Sequence, residues 1–263
     1  MSSYREIFYT VGDHIATIAF NRPESQNALS PVMLEETMAA VREAQGDDAV
    51  RVLVLTGTGR AFCAGGNVKS MAEVAGGPAP ARAEQVGQIQ ELQRLFRRFP
   101  KPFIAAVNGA AYGAGLDLAC AADFRIAADT ARFCEVYVRL GLAPGGGGAW
   151  LLPRIVGLTP ALDLVLSGEP IDAATALRIG LVSRVVPAAE LTAATVEFAR
   201  RFALSAPRGV EVAKRALYRG LEMTLDTALD FIRPQIGVLR QTEDHKEGLR
   251  ALRERRLPRF EGR

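Results

Sequence analysis

The stretch KPFIAAVNGAAYGAGLDLACAAD, Lys101–Asp123, organises the chain. Its apolar run Phe103–Val107 reads as a buried strand. Asn108-Gly109 signals a turn. Gly113-Ala114-Gly115 then lets backbone approach closely before a small-residue helix over Leu116–Ala122. A strand that runs through a glycine turn into a helix start presents free backbone N–H groups. Such groups hold a phosphate, a carboxylate or a developing oxyanion. Close packing of a helix on a strand accounts for the same pattern, so this stretch alone leaves both readings open.

A second stretch repeats the arrangement. Val50–Thr56 is another buried strand, and it feeds Gly57-Thr58-Gly59-Arg60-Ala61-Phe62-Cys63-Ala64-Gly65-Gly66-Asn67. Neither stretch carries the Gly-Lys-Ser/Thr of a phosphate loop or the G-x-G-x-x-G of a dinucleotide site.

At these residues the chain resembles the crotonase (enoyl-CoA hydratase/isomerase) superfamily. The resemblance rests on Asn21-Arg22-Pro23 with Asn27-Ala28-Leu29, on Gly59–Gly66, and on Lys101-Pro102 with Val107-Asn108-Gly109. Gly141-Leu142-Ala143-Pro144, Thr242–Gly248 and Pro258-Arg259-Phe260 extend it over essentially the whole chain in order. It implies an α/β fold, a spiral of ββα units with a helical C-terminal trimerisation region. We place the core with its CoA-thioester site in residues 1–190 and the helical oligomerisation region in residues 191–263. A homotrimer or a dimer of trimers is the implied assembly.

The resemblance also implies an acyl-CoA thioester as substrate, with CoA as part of that substrate and no separate cofactor or metal. The thioester oxygen would meet the N–H groups of Ala64 and Ala114, stabilising an enolate as the α-proton leaves. The CoA portion would lie against Ala28, Ala64, Gly66, Asn67, Val68 and Phe260, with Arg256 and Arg259 as further candidates. Two glutamates serve a hydratase of this family. Asp117 stands at the position of the first, three residues after Ala114 and so on the same helix side. Tyr137 stands at the second, where its ordinary pKa near 10 makes it a poor base. Many isomerases instead carry a carboxylate just after the proline of the Gly-x-x-Pro turn, which here is Gly145. Glu135 lies two residues before Tyr137 and would share its face if the segment were a strand. Hydration, isomerisation, decarboxylation, thioester hydrolysis and plain CoA-ester binding therefore stay open, because this fold hosts several chemistries.

The bulk numbers agree with a single large core: 263 residues, 49% apolar. Net charge is +3 from 32 basic and 29 acidic residues, a balance that implies no nucleic acid. The three cysteines, Cys63, Cys120 and Cys134, follow no metal or disulfide spacing. Neither a signal peptide nor a membrane-spanning run is visible, and the cytoplasm is the expected compartment.

Taken in order, Arg5–Val11 and His14–Phe20 alternate around Gly12-Asp13 as a hairpin. Ser30 caps and Pro31 opens a helix that runs to about Gln45. Ala72–Ala83 reads as a mobile loop and Glu84–Phe99 as a helix with its apolar face in the core. Short strands follow at Asp123–Ala127, Ala131–Glu135 and Val182–Val186. The run Gly145–Gly148 costs backbone entropy and makes sense where backbone lines a pocket. Helices over Trp150–Ile155 and Pro160–Leu166 precede the last strand, and from Leu191 onward the pattern is helical throughout.

Overall fold

The computed structural model describes residues 4–66 and 79–263, with the side chains of residues 79–85 left aside. Six strands build the larger sheet. β1 (Ile7–Gly12) and β2 (Ile15–Phe20) form the antiparallel hairpin; β3 (Val52–Gly57), β5 (Phe103–Val107), β7 (Phe124–Ala128) and β10 (Arg184–Val186) continue it in parallel, in the order β1-β2-β3-β5-β7-β10. A smaller sheet holds β4 (Ala61–Cys63), β6 (Ala110–Tyr112), β8 (Arg132–Cys134) and the antiparallel β9 (Ile171–Asp172). Each of the pairs β3/β4, β5/β6 and β7/β8 sends one strand to each sheet, and this is the expected spiral.

The parallel strands are apolar on both faces because both faces are covered. Leu53, Leu55, Phe103, Ala105 and Val107 join the main core with α1 (Pro31–Gly46), α2 (Ala79–Arg98) and α3 (Ala114–Ala121). Their neighbours Val52, Val54, Ile104 and Ala106 face the other way, onto Leu191, Phe198 and Ala199 of α7 (Leu191–Ala203). The period-two alternation thus feeds two cores from one sheet.

Ser30 accepts from the Met33 N–H at 3.0 Å and Pro31 occupies the first turn of α1, as its sequence predicts. α4 (Gly148–Val156), α5 (Leu158–Ser167) and α6 (Ala173–Arg178) follow the glycine run. The end of the chain is α8 (Pro207–Gly220), α9 (Leu225–Leu239) and α10 (Glu243–Glu254). α8 and α9 bury no residue within the chain.

Two expectations change. The loop read over Ala72–Ala83 is helical from Ala79, because alanines continue a helix well and Pro80 falls in the first turn, where a missing N–H is tolerated. Its earlier part lies outside the described residues. The strand expected over Ala131–Glu135 stops at Cys134, and Val136–Leu140 is a tight 3-10 turn. Glu135 and Tyr137 therefore do not share a strand face.

Candidate active site

The three parallel strands of the smaller sheet deliver the site residues from their C-terminal ends, the usual ligand-facing end of a parallel sheet. β4 runs into Ala64-Gly65-Gly66, β6 into Gly113-Ala114, and β8 into Glu135. The register pairs Cys63 with Ala111 and Tyr112 with Cys134, so the three exits lie side by side. The Gly113 N–H donates to Cys134 O at 2.8 Å and locks the second exit to the third.

Gly113 turns the chain at φ +50° and caps α3. The Asp117 N–H bonds back to Gly113 O at 2.9 Å. As the first residue of α3, Ala114 has no carbonyl in the helix to bond, and its N–H has no partner among the described residues. Gly115 sits directly on the Cys63 carbonyl, where any Cβ would overlap the oxygen.

The peptide groups after β4 correct one expectation. The Ala64 N–H is already committed: it donates to Gln26 O at 3.0 Å. Gly65 O in turn accepts from the Leu29 N–H at 2.8 Å. Carbonyl and following N–H of a planar trans peptide point in opposite directions. The Gly66 N–H therefore points away from Leu29. It has no partner among the described residues. A Cβ at Gly65, which stands at φ +86°, would lie 3.3 Å from Ala114 N, so the two free donors belong to adjoining segments.

Asp117 and Glu135 are both fully buried. Tyr137 donates its hydroxyl to Asp117 Oδ2 at 2.6 Å. The glycine run closes round the same carboxylate. A Cβ at Gly146 would overlap Asp117 Oδ2 and one at Gly148 would overlap Oδ1 and stand 3.0 Å from Glu135 Oε1. Gly148 is also the first residue of α4, so the carboxylate rests at the positive end of that helix. The N–H groups of Gly146 and Gly148 face it, although Oδ1 makes no well-aligned hydrogen bond. Both oxygens of Glu135 likewise lack one. Gln93 on α2 donates to the Asp117 backbone carbonyl at 2.8 Å, and Gln90 to Gly145 O at 3.1 Å.

Burial raises the Asp117 carboxyl above the ordinary aspartate range, while the Tyr137 hydroxyl and then the Gly146 and Gly148 N–H groups hold it down. Glu135 is pushed higher still, first by burial and then by the neighbouring Asp117 charge. Of the two, Asp117 ionises first and Glu135 keeps its proton. Burial and the Asp117 charge raise the Tyr137 phenol as well, so it stays a neutral donor. The arrangement is one buried carboxylate, one neutral carboxyl beside it, and two N–H groups on adjoining segments with no partner among the described residues.

Other expected contacts are dispersed. The Ala28 N–H bonds Ser25 O at 3.1 Å and its carbonyl accepts from Arg22 at 2.7 Å. Phe260 lies half-buried against α10, its ring 3.6 Å from the Cβ position of Gly248 and its carbonyl bonded by Arg51 at 2.7 Å. None of its described contacts reaches Asp117, Ala64 or Ala114. Arg256 is bound in a fork to Glu247 at 2.6 and 3.0 Å. Asn67 and Val68 lie outside the described residues.

Stacked ββα turns hold the Ala114 N–H at the start of α3 and the Gly66 N–H, both without a partner among the described residues, beside a buried carboxylate, and donors so placed can stabilise an enolate oxygen. The family model for enoyl-CoA hydratase/isomerase matches residues 10–263. A probable enoyl-CoA hydratase of Rhodobacter capsulatus is 38% identical over 99% of this chain and 100% of its own. The 1,2-epoxyphenylacetyl-CoA isomerase of Escherichia coli is 36% identical over 94% and 95%. The crystal structure of an enoyl-CoA hydratase from Bacillus anthracis superimposes with a TM-score of 0.94 at 35% identity, covering 98% of this chain and 100% of that one. The chain belongs to the enoyl-CoA hydratase/isomerase family of the crotonase superfamily. It is an acyl-CoA-processing enzyme of that type.

Proposed function

We propose that this enzyme is an enoyl-CoA isomerase in which Asp117 carries a proton between C2 and C4 of an unsaturated acyl-CoA. The supporting observation is that Asp117 stands between two neutral groups, the Tyr137 phenol and the Glu135 carboxyl, neither of which is a base. Among the described residues it is the group in the site suited to be ionised, and Tyr137 donates to it at 2.6 Å. The thioester oxygen accepts from the N–H groups of Ala114 and Gly66. The Asp117 carboxylate removes the proton from one carbon, and the electron pair delocalises onto the thioester oxygen as a dienolate. Asp117, now a carboxylic acid, returns the proton at the other carbon. The double bond moves and no atom is gained or lost. Ala28, Gly66, Asn67, Val68 and Phe260 keep their proposed place along CoA.

One observation favours hydration as a second reading. Glu135 and Asp117 meet across Gly148, so two carboxyl groups of different protonation border one space. Incubation with 2-enoyl-, 3-enoyl- and dienoyl-CoA esters in deuterated water separates the readings. A shifted double bond with deuterium at C2 or C4 is the expected product; a β-hydroxyacyl ester supports hydration.

The helical end supports a trimeric assembly. Leu217, Leu221 and Leu225 on α8 and α9 are each more than 70% exposed in the single chain, a surface that association would cover. Sedimentation as a monomer at micromolar concentration would contradict this.

A further inference from the structure

Arg97, Arg98, Arg208, Arg215 and Arg219 line one cleft of about 520 Å³ between the C-terminal end of α2 and the helices α8 and α9. Among the described residues, none of the five guanidinium groups has a carboxylate partner. Arg215 donates to the Gln235 side-chain oxygen at 2.9 Å, Arg97 stacks on the Tyr218 ring at 3.5 Å, and Arg219 and Arg215 face the Phe231 ring at 5.0 and 5.9 Å. A sixth cation, Lys214, is taken up by Asp123 at 2.6 Å. Glu211 is the single carboxylate in the lining.

This placement runs against what the helices prefer locally. Arg208 sits in the first turn of α8, at the positive end of the helix. Arg215 and Arg219 are like charges four residues apart on one helix, a mildly repulsive pair. The last-turn position of Arg97 and Arg98 suits α2, yet it brings two further cations into the same space. The chain has 29 acidic residues for 32 basic ones, so a cleft with five unpaired arginines is a local concentration of charge. The ring contacts neutralise none of this charge, and local conflicts left uncompensated mark functional positions. Guanidinium forks match phosphate oxygens in pairs, and a concave space of this size suits a small molecule.

We propose that this cleft binds a phosphate-bearing small anion, held by arginines of α2 and α8. None of Ala28, Ala64, Gly66, Ala114, Asp117 or Phe260 borders it, while Arg97 and Arg98 also line the neighbouring cavity that reaches Gly145, Gly146 and Gly147 beside Asp117. The two sites share α2: Arg97 stands one turn beyond Gln93, whose amide holds the Asp117 carbonyl.

Inorganic pyrophosphate titrated into the full-length protein tests the proposal. Calorimetry reads binding directly, and fluorescence reads it through Trp150, the single tryptophan, whose ring lies 5.2 Å from the Arg97 guanidinium. Saturable binding at one site per chain is expected. It should weaken at least about tenfold in the double variant Arg215→Gln/Arg219→Gln and fall with added salt. Arg178→Gln, an exposed change on α6, should bind as wild type does. Both cleft arginines are exposed in the single chain, and a wild-type melting temperature certifies the double variant as folded. Absent saturation, or equal affinity in the double variant, overturns the proposal. So does displacement of pyrophosphate by a saturating CoA ester, which would place it at the diphosphate of CoA instead. A double variant with altered sedimentation, in a protein that binds no pyrophosphate, would assign the arginines to a contact between chains and also overturn it.

Discussion

The Tyr137 hydroxyl stands 2.6 Å from Asp117 Oδ2 and donates to it. A tyrosine here steadies the neighbouring carboxylate instead of supplying a second one. Removing that donor should let burial lift Asp117 further. Tyr137→Phe is therefore expected to move the acidic limb of the kcat/KM profile to higher pH and lower turnover about 10²-fold, the low end for a positioned acid–base group. CoA-ester affinity should hardly change. A pH profile identical to wild type would remove Tyr137 from the tuning of Asp117.

Gly148 and Gly145 should respond unequally to alanine. A Cβ at 148 overlaps Asp117 Oδ1, whereas one at 145 meets nothing closer than Val86 Cγ1 at 3.5 Å. Gly148→Ala must displace the carboxylate and is expected to cost roughly 10²-fold or more in kcat. Gly145→Ala should stay within about twofold. Steady-state kinetics on the two purified variants decide it.

Glu135 makes stability depend on pH. Its folded-state pKa is raised above the unfolded value, to about 9. The folded chain thus holds a proton that the unfolded chain releases above about pH 4.5. The stabilising contribution is fully present below that value and is lost as pH rises towards 9. One such proton gives a slope of about 1.4 kcal/mol per pH unit. Glu135→Gln should flatten the decline in urea-unfolding free energy between pH 6 and pH 9. A variant that keeps the wild-type slope would contradict this.

Asp123 ties α8 to the sheet. Its Oδ2 meets Lys214 Nζ at 2.6 Å and the Phe103 N–H at 2.8 Å, and Oδ1 accepts from Tyr218 at 2.6 Å. Lys214 and Asp123 are only 12% and 11% exposed. Asp123→Ala leaves the lysine buried without its counter-charge and should destabilise the chain by about 3–5 kcal/mol. Urea denaturation with an unchanged slope would measure it.

The parts legible in the sequence were those with local causes. The apolar run Phe103–Val107, the Ser30-Pro31 start and the four C-terminal helices each carry their own period, cap or breaker, and the structure follows them within a few residues. Asp117 was legible too, because three residues of helix place it beside Ala114. Peptide orientation was not legible. Only the bonds from Ala64 to Gln26 and from Leu29 to Gly65 decide which N–H of the Ala64–Gly66 segment is free, and both join segments far apart in sequence. The pairing of Glu135 with Asp117 was also tertiary. It arises from strand ends laid side by side, not from the shared strand face expected of residues 135 and 137. The glycine run was readable as pocket backbone, but that it fits around the Asp117 carboxylate needed the fold.

Proton transfer by Asp117 carries the proposed isomerisation. Its most direct test is deuterium exchange into C2 and C4 of an enoyl-CoA ester, followed by NMR, for wild type and Asp117→Asn. Exchange is expected to slow by about 10²–10⁴-fold in the variant, with ester affinity nearly intact. Wild-type exchange in Asp117→Asn would contradict it.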